Sequence, residues 1–164
     1  MSDETPMPVP DQLYCVLLSL REDTLLLPNA AVAEAIGQDA LQVDASAPHW
    51  LAGTFHWNNR RVSAINFEPL NSDQWPLLNK RSRLVILHAI SGRPDDTPFA
   101  IVCQGYPHLI TLSQVAVTAL PLRETDRPEF VLARVRIGNT EALIPDLDRI
   151  ASLLTPAASD SSAS

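Results

Sequence analysis

Asn58-Asn59 stands between two runs of strand-forming residues, Pro48 to Trp57 and Arg60 to Phe67. Few backbone arrangements accommodate such a pair. A two-residue hairpin turn of type I′ needs positive φ at both central positions, a region that asparagine tolerates better than other residues bearing a side chain. Counting outward from that turn sets Trp57 opposite Arg60, His56 opposite Arg61, Phe55 opposite Val62 and Thr54 opposite Ser63. Side chains alternate faces along a strand, so Phe55, Trp57, Arg60, Val62 and Ala64 share one surface, and His56, Arg61 and Ser63 the other. The sequence predicts a hairpin with an apolar face for a core, and a polar face and tip for a partner. That is a binding geometry before it is a catalytic one.

The rest of the chain must supply that core. Its 164 residues make one ordinary domain, or two small subdomains sharing a core. A chain of this size buries enough surface to need no disulfide or metal staple. The apolar fraction of 46% beside 19% charged residues is a globular composition, neither disordered nor membrane-spanning. A formal charge of −7 opposes a nucleic-acid partner, because phosphate binding relies on a basic footprint. The clusters Trp57/Arg60/Arg61 and Lys80-Arg81-Ser82-Arg83 therefore read as a solvated rim or a protein-binding edge. Cys15 and Cys103 lie in apolar runs and are expected as free buried thiols of a reducing compartment. The acidic, proline-rich start (Met1 to Pro6) lacks the basic and apolar regions of a secretory signal. No apolar run approaches the length of a membrane helix. A cytoplasmic protein without membrane insertion is expected.

Read in order, residues 1–12 form a tail, 13–154 the folded domain and 155–164 a second tail. Strands are expected at Tyr14 to Leu20, Thr24 to Leu27, Asp39 to Val43, Arg83 to Ile90, Phe99 to Gln104, His108 to Ser113, Val115 to Leu120, Phe130 to Ile137 and Thr140 to Ile144, besides the central hairpin. Pro28 to Gly37 reads as a short helix, with Asn29 as N-cap, alanines within and Gly37 as stop. Val32 and Ile36 would then point inward together and Glu34 toward solvent or a partner. Leu70 to Lys80 reads as a loop, Ser91 to Asp96 as a turn and Pro121 to Pro128 as a polar loop. Pro145 to Leu154 reads as a helix with Leu147, Ile150 and Leu154 on one stripe. The total is a mainly-β barrel or sandwich with two short helices.

Chemistry finds little footing. His49, His56, His88 and His108 show no metal-ligand spacing, alone or with carboxylates. His88, in an apolar strand, reads as a core or cross-strand residue with its ring bonded to backbone. Cys103 with His108 is the one nucleophile-and-base pair to weigh. A reactive thiolate needs an electropositive, partly open setting, and Cys103 sits in the apolar run Phe99 to Cys103. Asp95-Asp96 and Asp146/Asp148 fall at a turn and a helix start, where carboxylates cap. Neither a nucleophile elbow nor a phosphate-cradling glycine loop is present. No catalytic residue, metal or cofactor is assigned.

Three stretches taken together resemble the CheW-like domain of bacterial chemosensory adaptors and their histidine kinases. Leu27-Pro28 followed by Val32-x-Glu34 is similar to that family's Leu-Pro, three residues, Val-x-Glu-Val segment. Gly53 to Phe67 aligns without gaps to its Gly-Val-Ile-Asn-Leu-Arg-Gly-x-x-x-Pro-Val-x-Asp-Leu core. Phe130 to Ile137, Gly138 and Asp146-Leu147-Asp148-Arg149 are similar to its closing hairpin and helix start. The departures are Asn58-Asn59 for Arg-Gly, Ser63 for Pro, Asn66 for Asp, and Cys103-Gln104 for Val-Asp. Arg60 and Arg61 are close enough to replace the lost charge. The substitutions suit a divergent adaptor, such as the ChpC-like homologues of type IV pilus (twitching motility) chemosensory systems.

The resemblance implies a CheW-like fold: two five-stranded, SH3-like β-barrel subdomains around a shared core. It implies a non-catalytic scaffold linking the cytoplasmic tip of a methyl-accepting chemoreceptor to the regulatory domain of a CheA-type histidine kinase. Other CheW-like proteins are further implied partners. Val32, Glu34, Ile36, His56, Asn58, Asn59 and Arg60 are the expected binding rim. A core role for Val32 and Ile36, and a turn-only role for Asn58-Asn59, are equally compatible with the sequence.

Overall fold

In the computed structural model, which describes residues 12–43, 46–71, 80–88, 98–113 and 117–154, two sheets carry the chain. The first joins β1 (Gln12–Ser19), β2 (Thr24–Pro28), β8 (His108–Ser113), β9 (Val117–Leu120), β10 (Val131–Ile137) and β11 (Thr140–Pro145) in the order β8-β1-β2-β11-β10-β9. The second joins β3 (Val32–Gly37), β4 (Leu51–Trp57), β5 (Arg60–Ile65), β6 (Ser82–Leu87) and β7 (Phe99–Gln104) in the order β3-β6-β7-β5-β4. Neighbours run antiparallel except β2 with β11 and β5 with β7. These are the two half-barrel lobes expected, the first with a sixth strand. None of the helices described is long and apolar enough to cross a membrane.

Alternation along the strands explains why so many of them read as unbroken apolar runs. In β6, Leu84 and Ile86 fill the second lobe, while Val85 and Leu87 face a core shared between the lobes. In β7, Ala100 and Val102 face inward, and Phe99, Ile101 and Cys103 face the shared core. The first lobe repeats the scheme, with Cys15, Leu26, Leu112, Val135 and Ala142 inside it and Val16, Leu18, Leu25, Leu27 and Leu143 on its shared face. A strand buried on both faces has no polar side to show. The shared core is roofed by α2 (Leu147–Leu154), which places Ile150 at its centre with Leu147 and Leu154 beside it, as the stripe predicts. Asp146 caps this helix, its Oδ1 accepting the Arg149 backbone N–H at 3.1 Å.

Several expectations are corrected. Pro28 to Gly37 is not a helix: a 3-10 turn at Asn29–Ala31 leads into strand β3, paired with β6. The spacing of four between Val32 and Ile36 fits a strand as well as a helix, and the pairing partner overrides alanine's helix preference. The second helix lies elsewhere, at α1 (Phe67–Asn71). Asp39 to Val43 is no strand but a 3-10 turn at Gln38–Ala40 followed by a single bridge from Gln42 to Thr54. His88 is exposed rather than in the core. Residues 72–79 of the expected loop, the turn at Ser91 to Asp96, and the tails up to residue 11 and from residue 155 lie outside the described residues.

One carboxylate ties the lobes together. Glu68, on α1 directly after the second sheet's β5, is buried. It accepts the backbone N–H groups of Arg21, Glu22 and Asp23 at 2.9, 2.5 and 3.1 Å. Those residues form the β1–β2 turn of the first sheet, so three backbone donors of that turn meet a carboxylate from the opposite lobe.

Candidate functional site

The central hairpin has the register that its turn demands. Trp57 pairs with Arg60, His56 with Arg61, Phe55 with Val62 and Thr54 with Ser63. Asn58 and Asn59 have φ of 50° and 62°, the left-handed pair of a type I′ turn. Phe55, Val62 and Ala64 are buried in the second lobe and Trp57 packs against them. His56, Asn58, Asn59, Arg60 and Arg61 are exposed. At its root the opposite face is not open: Ile65 is buried in the shared core.

The β3 segment carries the other expected site residues. A bulge inserts Ala33, so that Val32 opposes Leu87 while Glu34 opposes Ile86. Val32 therefore packs on the shared core and Ile36 on the core of the second lobe. Both are half-buried, and they serve different cores rather than one inward stripe. Glu34 is exposed, and its Oε1 accepts the indole Nε1–H of Trp57 at 2.9 Å. Strands β3 and β4 are the two edges of their sheet. The Glu34–Trp57 bond thus joins the edges at the hairpin tip, and lower down the backbone bonds between Gln42 and Thr54 (2.7 and 3.0 Å) tie the segment that follows β3 to β4.

The first lobe adds a part that the sequence concealed. Tyr14 opposes Thr111, and Val16 opposes Leu109, so these four side chains share a face. Val16 is buried in the shared core, yet Tyr14 and Leu109 are each 64% exposed. The apolar face that meets the second lobe therefore runs on, uncovered, to β8. Cys15 opposes Pro28, which brings the Tyr14 end of β1 beside the 3-10 turn leading to Val32. Leu109 and Tyr14, the turn that leads into Val32, and Glu34 bonded to Trp57 at the hairpin tip thus follow one another as a strip of segments from the first lobe to the second. An apolar centre with a polar rim is the anatomy of a docking surface.

Among the described residues no reacting constellation competes with that strip. Cys103 lies in the shared core with its thiol donating to the Gly105 carbonyl at 3.1 Å, and burial pushes its pKa up to about 12 despite the nearby Arg83. The Cys15 thiol is likewise raised by burial, and both cysteines are free. His49, His56, His88 and His108 are all exposed, on separate segments. Among the described residues no group of three or more histidines, cysteines and carboxylates is placed to hold a metal ion. Arg83 is committed locally, its Nη1 donating to the carbonyls of Lys80 and Ser82 (both 3.0 Å) and its guanidinium stacking 4.5 Å from the Tyr106 ring centre.

The family model for the CheW-like domain matches residues 14–154. The chain belongs to the CheW-like domain family. The fold agrees with the crystal structure of the scaffolding protein TtCheW from Thermoanaerobacter tengcongensis: TM-score 0.69 at 15% identity, over 88% of this chain and 91% of that one. No curated protein sequence matches closely enough to count as a relative.

Within this CheW-like domain the departures from the family pattern fall into two kinds. Asn66, in place of Asp, is buried and donates its side-chain Nδ2–H to the His49 carbonyl at 3.3 Å, while its backbone N–H bonds to Trp50. A carboxylate could not make the first of these bonds. Cys103, in place of Val, fills the shared core. Asn58 and Asn59, by contrast, stand in solvent where the pattern has Arg-Gly.

Proposed function

We propose that this CheW-like domain is a non-catalytic cytoplasmic adaptor, coupling the tip of a chemoreceptor to the regulatory domain of a CheA-type histidine kinase. The observation that carries the reading is the strip from Leu109 and Tyr14 across Val32 and Glu34 to Asn58-Asn59-Arg60. A receptor tip is a bundle of helices, and a helix docks by laying an apolar stripe on an apolar centre while its flanks meet a polar rim. Leu109, Tyr14 and Val32 supply that centre. His56, Asn58, Asn59 and Arg60 supply the rim, with Glu34 and Ile36 as support beneath it. Family membership and the likeness to a scaffolding protein point the same way, and burial keeps the Cys103 thiol protonated, which argues against that residue as a nucleophile.

Pull-down of the chain with a chemoreceptor signalling fragment and, separately, with a kinase regulatory domain tests the proposal. Capture by both is expected, and capture by neither overturns it. A narrower reading, an accessory module gripping only one partner, draws on the uncharged Asn58-Asn59 tip; capture by one partner alone would establish it. Assignment to a type IV pilus system rests on the same tip substitutions. Deleting the gene should then impair twitching rather than swimming.

A further inference from the structure

The family pattern has leucine where this chain has Trp57, and leucine has no N–H to give. Here the indole N–H reaches Glu34 Oε1 at 2.9 Å. That bond spans the two edge strands of the second lobe immediately below the turn at Asn58-Asn59. Trp57 also packs its ring against the core of the lobe, so the tip is held by an apolar anchor and by one directed bond. A two-residue turn at the end of a ribbon otherwise has little to fix its angle to the sheet.

We infer that Glu34 is a positioning residue rather than a partner contact: it accepts from Trp57 and so sets where the hairpin tip stands on the docking strip. The inference rests on the adaptor reading for its binding consequence, though not for the clasp itself. It makes a distinctive demand. What matters at position 34 is an acceptor for an indole N–H, and the negative charge is dispensable. Glutamine keeps such an acceptor, whereas alanine does not.

The test uses the full chain with Glu34→Gln, Glu34→Ala, Trp57→Phe and the double variant Glu34→Ala/Trp57→Phe. Binding to a chemoreceptor tip fragment is measured by calorimetry, and the Trp57 indole N–H is followed by NMR. Expected is near-native affinity for Glu34→Gln and a loss of about five- to tenfold for each of Glu34→Ala and Trp57→Phe, the scale of one hydrogen bond. The double variant should lose no more than Trp57→Phe alone, because the bond is already absent there. The indole resonance should move in Glu34→Ala and stay in Glu34→Gln. Glu34→Gln binding as poorly as Glu34→Ala, with Trp57→Phe unaffected, overturns the inference in favour of a direct charge contact. Wild-type affinity in every variant also overturns it. Should the wild type itself bind no receptor fragment, the adaptor reading fails, and the indole resonance alone decides the clasp: an unmoved resonance in Glu34→Ala overturns it.

Discussion

Arg134 and Asp126 meet in a two-point contact inside the first lobe, Nε to Oδ2 at 3.0 Å and Nη2 to Oδ1 at 2.9 Å, with side chains only 5% and 1% exposed. Asp126 Oδ2 also accepts the Arg123 backbone N–H at 2.8 Å, so the pair pins the loop before β10 to the sheet. Burial disfavours the Arg134 charge, but the bond to Asp126 and the charges of Asp126, Asp23 and Glu141 more than offset this and hold its pKa above the ordinary value. Removing Asp126 leaves the buried Arg134 charge with only its longer 3.5 Å contact to Glu141 among its ion pairs described. Asp126→Ala should cost roughly 3–5 kcal/mol in chemical unfolding, whereas an Asp126→Leu/Arg134→Met pair should cost markedly less.

Gly53 is fixed by a close approach. A Cβ there would lie 2.3 Å from the carbonyl oxygen of Gln42, which accepts the Thr54 N–H. Gly53→Ala must push Gln42 away and open the bridge that ties the segment after β3 to β4. A loss of about 3 kcal/mol is expected, at the upper end for overpacking. Hydrogen exchange should report it first at the Gln42 and Thr54 amides, and unchanged exchange there would contradict this account.

The buried thiol makes stability fall at alkaline pH. The Cys103 pKa is raised from 9.0 to about 12 on folding, so above pH 9 the unfolded chain gives up a proton that the native chain keeps. Native stability from this group is complete below pH 9 and drains away as pH rises toward about 12. The alkaline loss should be shallower in Cys103→Ala, which isolates it from tyrosine and lysine titration. A thiol reagent should label Cys103 in urea but only slowly in buffer.

How much of this was legible depends on how local each feature is. The hairpin register was, because Asn58-Asn59 admits one turn and alternation does the rest. The strand at β3 was not. Its apolar residues sit four apart, a spacing that serves either period, and the bulge at Ala33 leaves no alternation to read. Helix α1 is five residues long with Pro69 in its first turn, too short to show a period, although proline is tolerated there. In β10 hydropathy misleads outright: a bulge at Leu132 leaves that leucine 63% exposed while Arg134 is buried on Asp126. The Glu34–Trp57 bond joins residues 23 apart in sequence, and nothing local announces it.

Tyr14 and Leu109 were hidden for a related reason, since an apolar strand residue looks the same in sequence whether or not anything covers it. On the adaptor reading, their exposure beside buried Val16 divides the proposed docking strip into a centre and a rim, and the two should respond differently to mutation. Leu109→Asp should weaken capture of a receptor fragment at least fivefold, the effect of losing a central anchor, mainly by faster dissociation. Arg60→Glu should act mainly on the association rate, and its effect should shrink as salt is raised, because the side chain is exposed on the rim. Both should melt within about 0.5 kcal/mol of the wild type, as surface substitutions do. Equal salt dependence for the two variants would mean that Leu109 and Arg60 do not stand at the centre and edge of one interface.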